Sequence, residues 1–195
     1  LAQRKLLLSD ADFIGRLQSA PVRAPSPMRA VFIRACDRPE QLGHLLKSLI
    51  EYERRHRANH RYVVIDDSVL AAHINEQRDS LREFARTTGC KVSHIGNAER
   101  NKIVEKFAKA NPDSKDVLAR LVLRGSHPHA QRFGGGRGWN MAMLLSAGAR
   151  LALLDDDERL PLRRSESARS GLDPNPSLSM QAQFFPSMEQ ALGSG

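Results

Sequence analysis

An apolar, strand-forming run, Val31-Phe32-Ile33, leads into Asp37-Arg38-Pro39-Glu40, and a second such run, Tyr62-Val63-Val64-Ile65, follows. Between them Leu42, Leu45, Leu46, Leu49 and Ile50 recur at helical spacing along one face. Asp37 stands where a helix cap belongs, Pro39 falls in the first turn, and Glu40 lies three residues after the acid. A strand, a helix and a strand in so short a stretch form a βαβ unit, whose parallel strands are joined by a right-handed crossover. This one unit commits the chain to the α/β class.

The same pattern continues more loosely. A helix is predicted over 75–87, a strand over 91–95 ending in Gly96-Asn97, and helical stretches over 100–109 and 114–123. Ser126-His127-Pro128-His129 and Gly134-Gly135-Gly136 mark loop, after which 140–149 reads as a helix and 151–154 as a buried strand. The expected architecture is a Rossmann-like, mostly parallel sheet flanked by helices. It occupies residues 30–160, after a lead and Pro-rich linker over 1–29 whose first part has room for one short helix. Residues 161–195, rich in Pro, Ser and Arg with only Phe184-Phe185 as an anchor, read as a largely irregular tail.

Composition narrows the functional classes. No apolar stretch approaches the roughly 20 residues that cross a bilayer; the most apolar window, 141–154, is interrupted by Arg150. Cys36 and Cys90 are too few and too far apart for a four-ligand zinc site or a disulfide framework, which points to a reducing, cytoplasmic setting. Leu6-Leu7-Leu8 is too short for a secretory signal, and a start at Leu1 reads as a piece of a longer chain. The net charge of +8 raises the question of nucleic acid. Its densest cluster, Arg54-Arg55-His56-Arg57, ends a predicted helix, where cations meet the helix dipole, and no aromatic residues interleave with it. Nucleic-acid binding as the main role is therefore disfavoured.

In an open parallel sheet, ligands bind outside the carboxyl ends of the strands. Three features fall at such ends: Ala35-Cys36-Asp37, Asp66-Asp67-Ser68 and Asp155-Asp156-Asp157. In extended chain, residues two apart point the same way, so Asp155 and Asp157 can offer oxygens to one hard cation while Asp156 points elsewhere. Magnesium or manganese held by two carboxylates keeps positions for water and diphosphate oxygens. The plain alternative is a solvated acidic turn, or a helix cap at Glu158. Asp66-Asp67 reads equally as a turn cap or as an acceptor for a nucleobase imide or ribose hydroxyl. Gly134-Gly135-Gly136-Arg137-Gly138 offers backbone N–H groups and a guanidinium suited to phosphate. It is neither a Walker loop nor a dinucleotide fingerprint, since Trp139 stands where the last glycine would. His127 and His129 read as loop rather than metal ligands. An aspartyl phosphotransferase is disfavoured, because its motif ends the first strand and is followed by other residues than Glu158-Arg159.

Taken in order, these motifs resemble the nucleotide-sugar-binding half of a GT-A fold glycosyltransferase of the large inverting "family two" type. The matching pieces are the first strand with its Asp37-Arg38-Pro39 turn, the helix bearing Leu45-Leu46-Lys47-Ser48-Leu49, and Ile65-Asp66-Asp67-Ser68. Gly136-Arg137-Gly138-Trp139-Asn140 and the Asp-x-Asp run Leu154-Asp155-Asp156-Asp157 follow. The resemblance implies a nucleoside-diphosphate sugar as donor, with Asp155 and Asp157 on Mn²⁺ or Mg²⁺ and Asp67, or else Asp66, on the nucleobase. It puts Arg137 near the phosphates and places Ala35, Asp37, Arg38, Asn140 and Asp156 around the nucleotide. It also implies an acceptor, whose binding half and catalytic base follow the Asp-x-Asp motif in that family. Only 38 residues remain after Asp157, and neither Glu158 nor Glu166 matches a base. The chain is thus expected to lack the full acceptor-binding half. It reads as a glycosyltransferase, whole, truncated or inactive, or as a non-catalytic nucleotide-binding or interaction module derived from that fold. The stretch from Ser68 to Gly134, longer than the family's, and the Arg-Gly-Trp-Asn in place of adjacent Arg and Asn are its departures.

Overall fold

The computed structural model of the chain describes residues 10–19, 27–125, 135–160, 186–187 and 189–190. Within them a short helix, α1 (Asp10–Ser19), precedes four strands and five further helices. In order these are β1 (Met28–Ala35), α2 (Pro39–His56), β2 (Tyr62–Asp66), α3 (Ala71–Thr88), β3 (Val92–Ile95), α4 (Asn97–Ala110), α5 (Lys115–Val122), α6 (Gly135–Leu145) and β4 (Arg150–Asp155). The strands form one open sheet in the order β3-β2-β1-β4, every neighbouring pair parallel. The fold is therefore α/β and Rossmann-like, as the βαβ pattern predicts.

Side-chain alternation along the strands divides the core in two. Val31, Ile33 and Ala35 of β1 face one side, where Leu42, Leu45, Leu46 and Leu49 of α2 and Leu81 and Phe84 of α3 close over them. Ala30 and Phe32, with Val63 and Ile65 of β2, face the other, against Val104 of α4, Val122 of α5, and Met141 and Ala142 of α6. Both faces of β2 are covered, and all five of its residues are buried. This explains why its sequence is a continuous apolar run rather than an alternating one. Each fully buried aliphatic or aromatic side chain contributes about 1.5–3 kcal/mol.

Local chemistry sets the helix ends, in places against the sequence reading. α2 begins at Pro39, its fixed φ suited to a first turn, and stops where Arg57 turns left-handed at φ 48°. Its N-cap residue is Arg38, and no side chain caps it. Asp37, expected to cap α2, turns away at φ 49°, and its carboxylate accepts the backbone N–H groups of Val69 and Leu70, both at 3.1 Å, in the turn that leads into α3. α3 starts at Ala71 rather than residue 75, with Leu70 as its N-cap residue and no side-chain cap. α4 begins at Asn97, earlier than 100, where Glu99 reaches back 3.0 Å to accept the Gly96 N–H; Gly96 has no side chain to return the bond, so this is only half of a capping box. α5 starts one residue later than expected, after a single 3-10 turn over Pro112–Ser114.

The largest correction concerns α6. Gly135 and Gly136, expected in a loop, form its first turn, and it ends at Leu145 rather than 149. Gly148, at φ 76°, then turns the chain into β4. Propensity argues against a glycine-rich helix start, and a Cβ on Gly136 would meet nothing within 4 Å; only at Gly138 is packing tight, where a Cβ would stand 3.2 Å from Cδ of Arg34. β1 also begins inside the expected linker, at Met28, and pairs with Arg150 of β4. The rest of the linker, the 126–134 loop and most of the 161–195 tail lie outside the described residues, Phe184-Phe185 included.

Candidate functional site

In a sheet ordered β3-β2-β1-β4, the chain moves outward from β1 to β2 and β3, then returns to place β4 on the other side. The carboxyl ends of β1 and β4 border the point where that direction reverses, which is where open α/β sheets leave a crevice for ligands. The Cys36-Asp37-Arg38 turn leaves β1 there, and Asp155-Asp156-Asp157 leaves β4. Asp66-Asp67-Ser68 follows β2, one strand over. The topology thus brings together at one edge the three features the sequence puts at strand ends.

Two arginines join the β1 side to the acidic run. Arg34, near the end of β1, is opposite Asp155 in the parallel register, and its Nε donates to Asp155 Oδ1 at 2.7 Å. Nη2 of Arg34 reaches the same oxygen. Arg38 donates through Nη2 to Asp156 and through Nη1 to Asp157 at 3.1 Å. The side chains of Asp155 and Asp157 are 40% and 55% exposed while that of Asp156 is 1% exposed. The first and third acids are outward and the second inward, but not through the extended chain expected from the spacing: β4 ends at Asp155, and Asp156 and Asp157 lie in a turn closed by the Glu158 N–H on the Asp155 carbonyl at 3.2 Å. Burial pushes the Asp156 carboxyl up from its ordinary value, by more than the nearby Arg38 charge lowers it.

The β2 end is held by a separate set of contacts. Asp66 accepts from the Ser68 N–H at 2.7 Å and lies 2.9 Å from Nε2 of His94, whose Nδ1 is 3.4 Å from Nε of Arg78. Burial alone would raise the Asp66 carboxyl, but the hydrogen bonds from His94 and Ser68 outweigh it and hold it below the ordinary carboxylate value. Asp67 points to Arg100, a guanidinium only 1% exposed, at 2.8 Å. Arg100 also donates to the Asp66 carbonyl at 3.1 Å, and Arg124 to that of Asp67. A cavity of about 320 Å³ opens beside this turn, lined by Asp66, Ser68, Arg78, His94, Asn97 and Glu99. A second, of about 330 Å³, opens between Arg54, Arg57, Asn59 and Thr88, remote from all three strand ends. Position relative to the sheet, not size, singles out the first.

The remaining candidates fall on the same edge. Ala35 is buried and its carbonyl accepts the Asp67 N–H at 2.9 Å, tying the β1 and β2 turns together. Asp37 N–H donates to Ser68 Oγ at 2.7 Å. Its carboxylate lies 3.3 Å from His73 besides accepting the N–H groups of Val69 and Leu70. Cys36 is no nucleophile at neutral pH: burial, then the charges of Asp37, Asp67 and Asp66, push its thiol up to about 11. Arg137 lies half-buried in the first turn of α6, while Asn140 turns its amide 3.0 Å from the Leu121 carbonyl, a packing contact between α6 and α5.

A divalent cation at this edge would have Asp155 and Asp157 as its protein ligands, and would compete for them with Arg34 and Arg38. Among the described residues no group of three or more His, Cys, Asp or Glu side chains is arranged to hold a metal ion. Sequence reasoning missed Arg34, His94, Arg100 and Trp139. Arg34 was detectable in principle, since a cation inside an otherwise apolar strand needs a partner. Arg100 and His94 acquire their roles only from contacts across elements. Trp139 stands 46% exposed over Arg34, whose guanidinium carbon is 5.1 Å from the ring centroid.

The fold and this crevice define a Rossmann-like α/β protein with a charged ligand edge. Comparison with protein families, curated proteins and solved structures finds no match to the chain. Among the described residues, no helix is long and apolar enough to cross a membrane.

Proposed function

We propose that this chain is the donor-binding part of a glycosyltransferase, holding a nucleoside-diphosphate sugar with Mn²⁺ or Mg²⁺ for transfer to an acceptor. The observation that carries this reading is the meeting, at the reversal point of the sheet, of the outward pair Asp155 and Asp157 with the cationic side chains of Arg34 and Arg38. Opposite charges clustered in a ligand crevice suit a ligand that brings both a cation and an anion. The carboxylates take the cation, and the arginines meet the phosphate oxygens. The cation would supply charge neutralisation for the departing nucleotide. Arg137, in the first turn of α6, adds charge for the phosphates. The base falls to the β2 turn, where Asp66 lines the 320 Å³ cavity.

A second reading, a nucleotide-binding module without transfer, is favoured by one observation. Each acid of the run is already neutralised by an arginine of the same chain, so the edge is stable without a cation.

Calorimetric titration with UDP and GDP, with and without Mn²⁺, tests the donor site. The expected result is metal-dependent binding of one nucleotide that the Asp155→Ala, Asp157→Ala variant loses. Binding unaffected by Mn²⁺ would leave the module reading, and no binding of either nucleotide would remove both.

A further inference from the structure

Trp139 is the chain's only tryptophan, and it is 46% exposed at the mouth of the crevice. Gly138 packs the start of α6 against β1, where a Cβ would stand 3.2 Å from Cδ of Arg34, with Ile65 of β2 at 3.9 Å. The Arg34 guanidinium lies over the Trp139 ring, 5.1 Å from its centroid, and donates through its edge to Asp155, so one arginine contacts both the indole and the acid run.

We propose that Trp139 is a platform for the sugar ring of a nucleotide-sugar donor, a specificity element that recognises the glycosyl group rather than the nucleotide. The inference rests on the donor reading above and deepens it. A pyranose presents C–H groups on one face and hydroxyls at its edge. An indole takes the C–H face without demanding hydrogen bonds, and the adjoining Arg34 and Asp155 offer one donor and one acceptor to the hydroxyls. The nucleobase has its own station at the Asp66 turn, across the sheet edge from β4. With the cation and diphosphate at Asp155 and Asp157, the part of the ligand left to reach the neighbouring indole is the glycosyl group beyond the diphosphate. Met143, one helical turn further along α6 and 54% exposed, has no such neighbour and serves as a control.

Because no other tryptophan contributes, the intrinsic emission of the full chain reports on this residue alone. In Mn²⁺, UDP-glucose, UDP-N-acetylglucosamine and GDP-mannose are titrated against UDP and GDP. The expected result is a change in Trp139 emission with one nucleotide sugar that exceeds the change with its parent nucleotide. By calorimetry, Trp139→Ala should lose about three- to tenfold in affinity for that sugar nucleotide, the range of an aromatic contact, and bind the parent nucleotide as the wild type does. Trp139→Phe should recover part of the loss, and Met143→Ala should show none. Since Trp139 is half exposed, its truncation leaves no core cavity, and an unchanged melting curve confirms that the variant folds. If Trp139→Ala weakens nucleotide and nucleotide sugar equally, or neither, the platform is overturned while the donor site stands. If the wild type binds no nucleotide at all, donor site and platform fall together.

Discussion

Two buried aspartates, Asp66 at the end of β2 and Asp156 just past β4, are shifted in opposite directions. Asp66 is held below the ordinary carboxylate value because the hydrogen bonds from His94 and Ser68 exceed the penalty of its burial. Its ionised form thus stabilises the fold. That contribution is complete above the unfolded value of about 3.8 and is lost as the pH falls through the lower folded value. Asp156 is held above the ordinary value by burial, so its ionised form costs stability. That cost is complete above the raised folded value and vanishes as the pH falls to 3.8. Asp66→Asn should therefore lose about 1–3 kcal/mol at pH 7, the range for breaking a buried charge-assisted pair, and less below pH 3.8. Asp156→Asn should be neutral or stabilising at pH 7. Urea midpoints at pH 7 and pH 3 separate the two, and a large loss in Asp156→Asn at pH 7 would show that the Arg38 contact outweighs burial.

At the scale of the element, the Asp37 carboxylate joins the turn after β1 to the turn that leads into α3, 32 and 33 residues further along the chain. The evidence is the pair of 3.1 Å contacts to Val69 and Leu70, and the left-handed φ of 49° that aims the carboxylate at them. Asp37→Ala should cost about 0.5–1.5 kcal/mol, the net range of a hydrogen bond. It should also speed exchange of the Val69 and Leu70 amides while leaving that of α2 unchanged. Asp37→Gly relieves the positive φ but still lacks the carboxylate, so equal losses in the two variants assign the effect to the carboxylate; a stable Asp37→Gly would assign it to backbone strain. The same contact explains which parts of the fold were legible in the sequence. β1, α2 and β2 carry their own signals, an apolar run or an apolar face with Pro39 at the start, and appear close to where the pattern puts them. The turn into α3 is held by Asp37 from another turn, and the close approach of Gly138 to Arg34 belongs to the packing of α6 on β1, so no local window contains either contact. Of the site, the acids at strand ends were legible because strand ends are where runs such as Leu151–Leu154 stop. The arginines and the histidine that engage them were not, because pairing across β1, β2 and β4 is created by the sheet.

At the scale of the whole molecule, the sheet is a seam between two parts of the chain. The β1–β2–β3 portion supplies the Arg38 turn and the Asp66 turn, and the later portion, α6 and β4, supplies Arg137, Trp139 and the acid run. β4 joins only along β1, and across the top of that seam the ion pairs of Arg34 and Arg38 are the side-chain links. A ligand that replaces those pairs by bridging both portions must stabilise the fold as a unit. At a hundredfold excess over its dissociation constant it adds about 2.7 kcal/mol. For a chain of this size each kcal/mol raises the melting temperature by about 2–4 °C. Manganese together with the cognate nucleotide should therefore raise the midpoint by about 5–10 °C, and neither alone should reproduce the full shift. Asp155→Ala, Asp157→Ala should abolish the shift. It should also melt lower without ligand, because Arg34, whose side chain is only 16% exposed, loses its partner. A variant that melts lower yet keeps the full shift would place the nucleotide elsewhere on the molecule, and would reduce the acid run to a clasp between the two portions of the sheet.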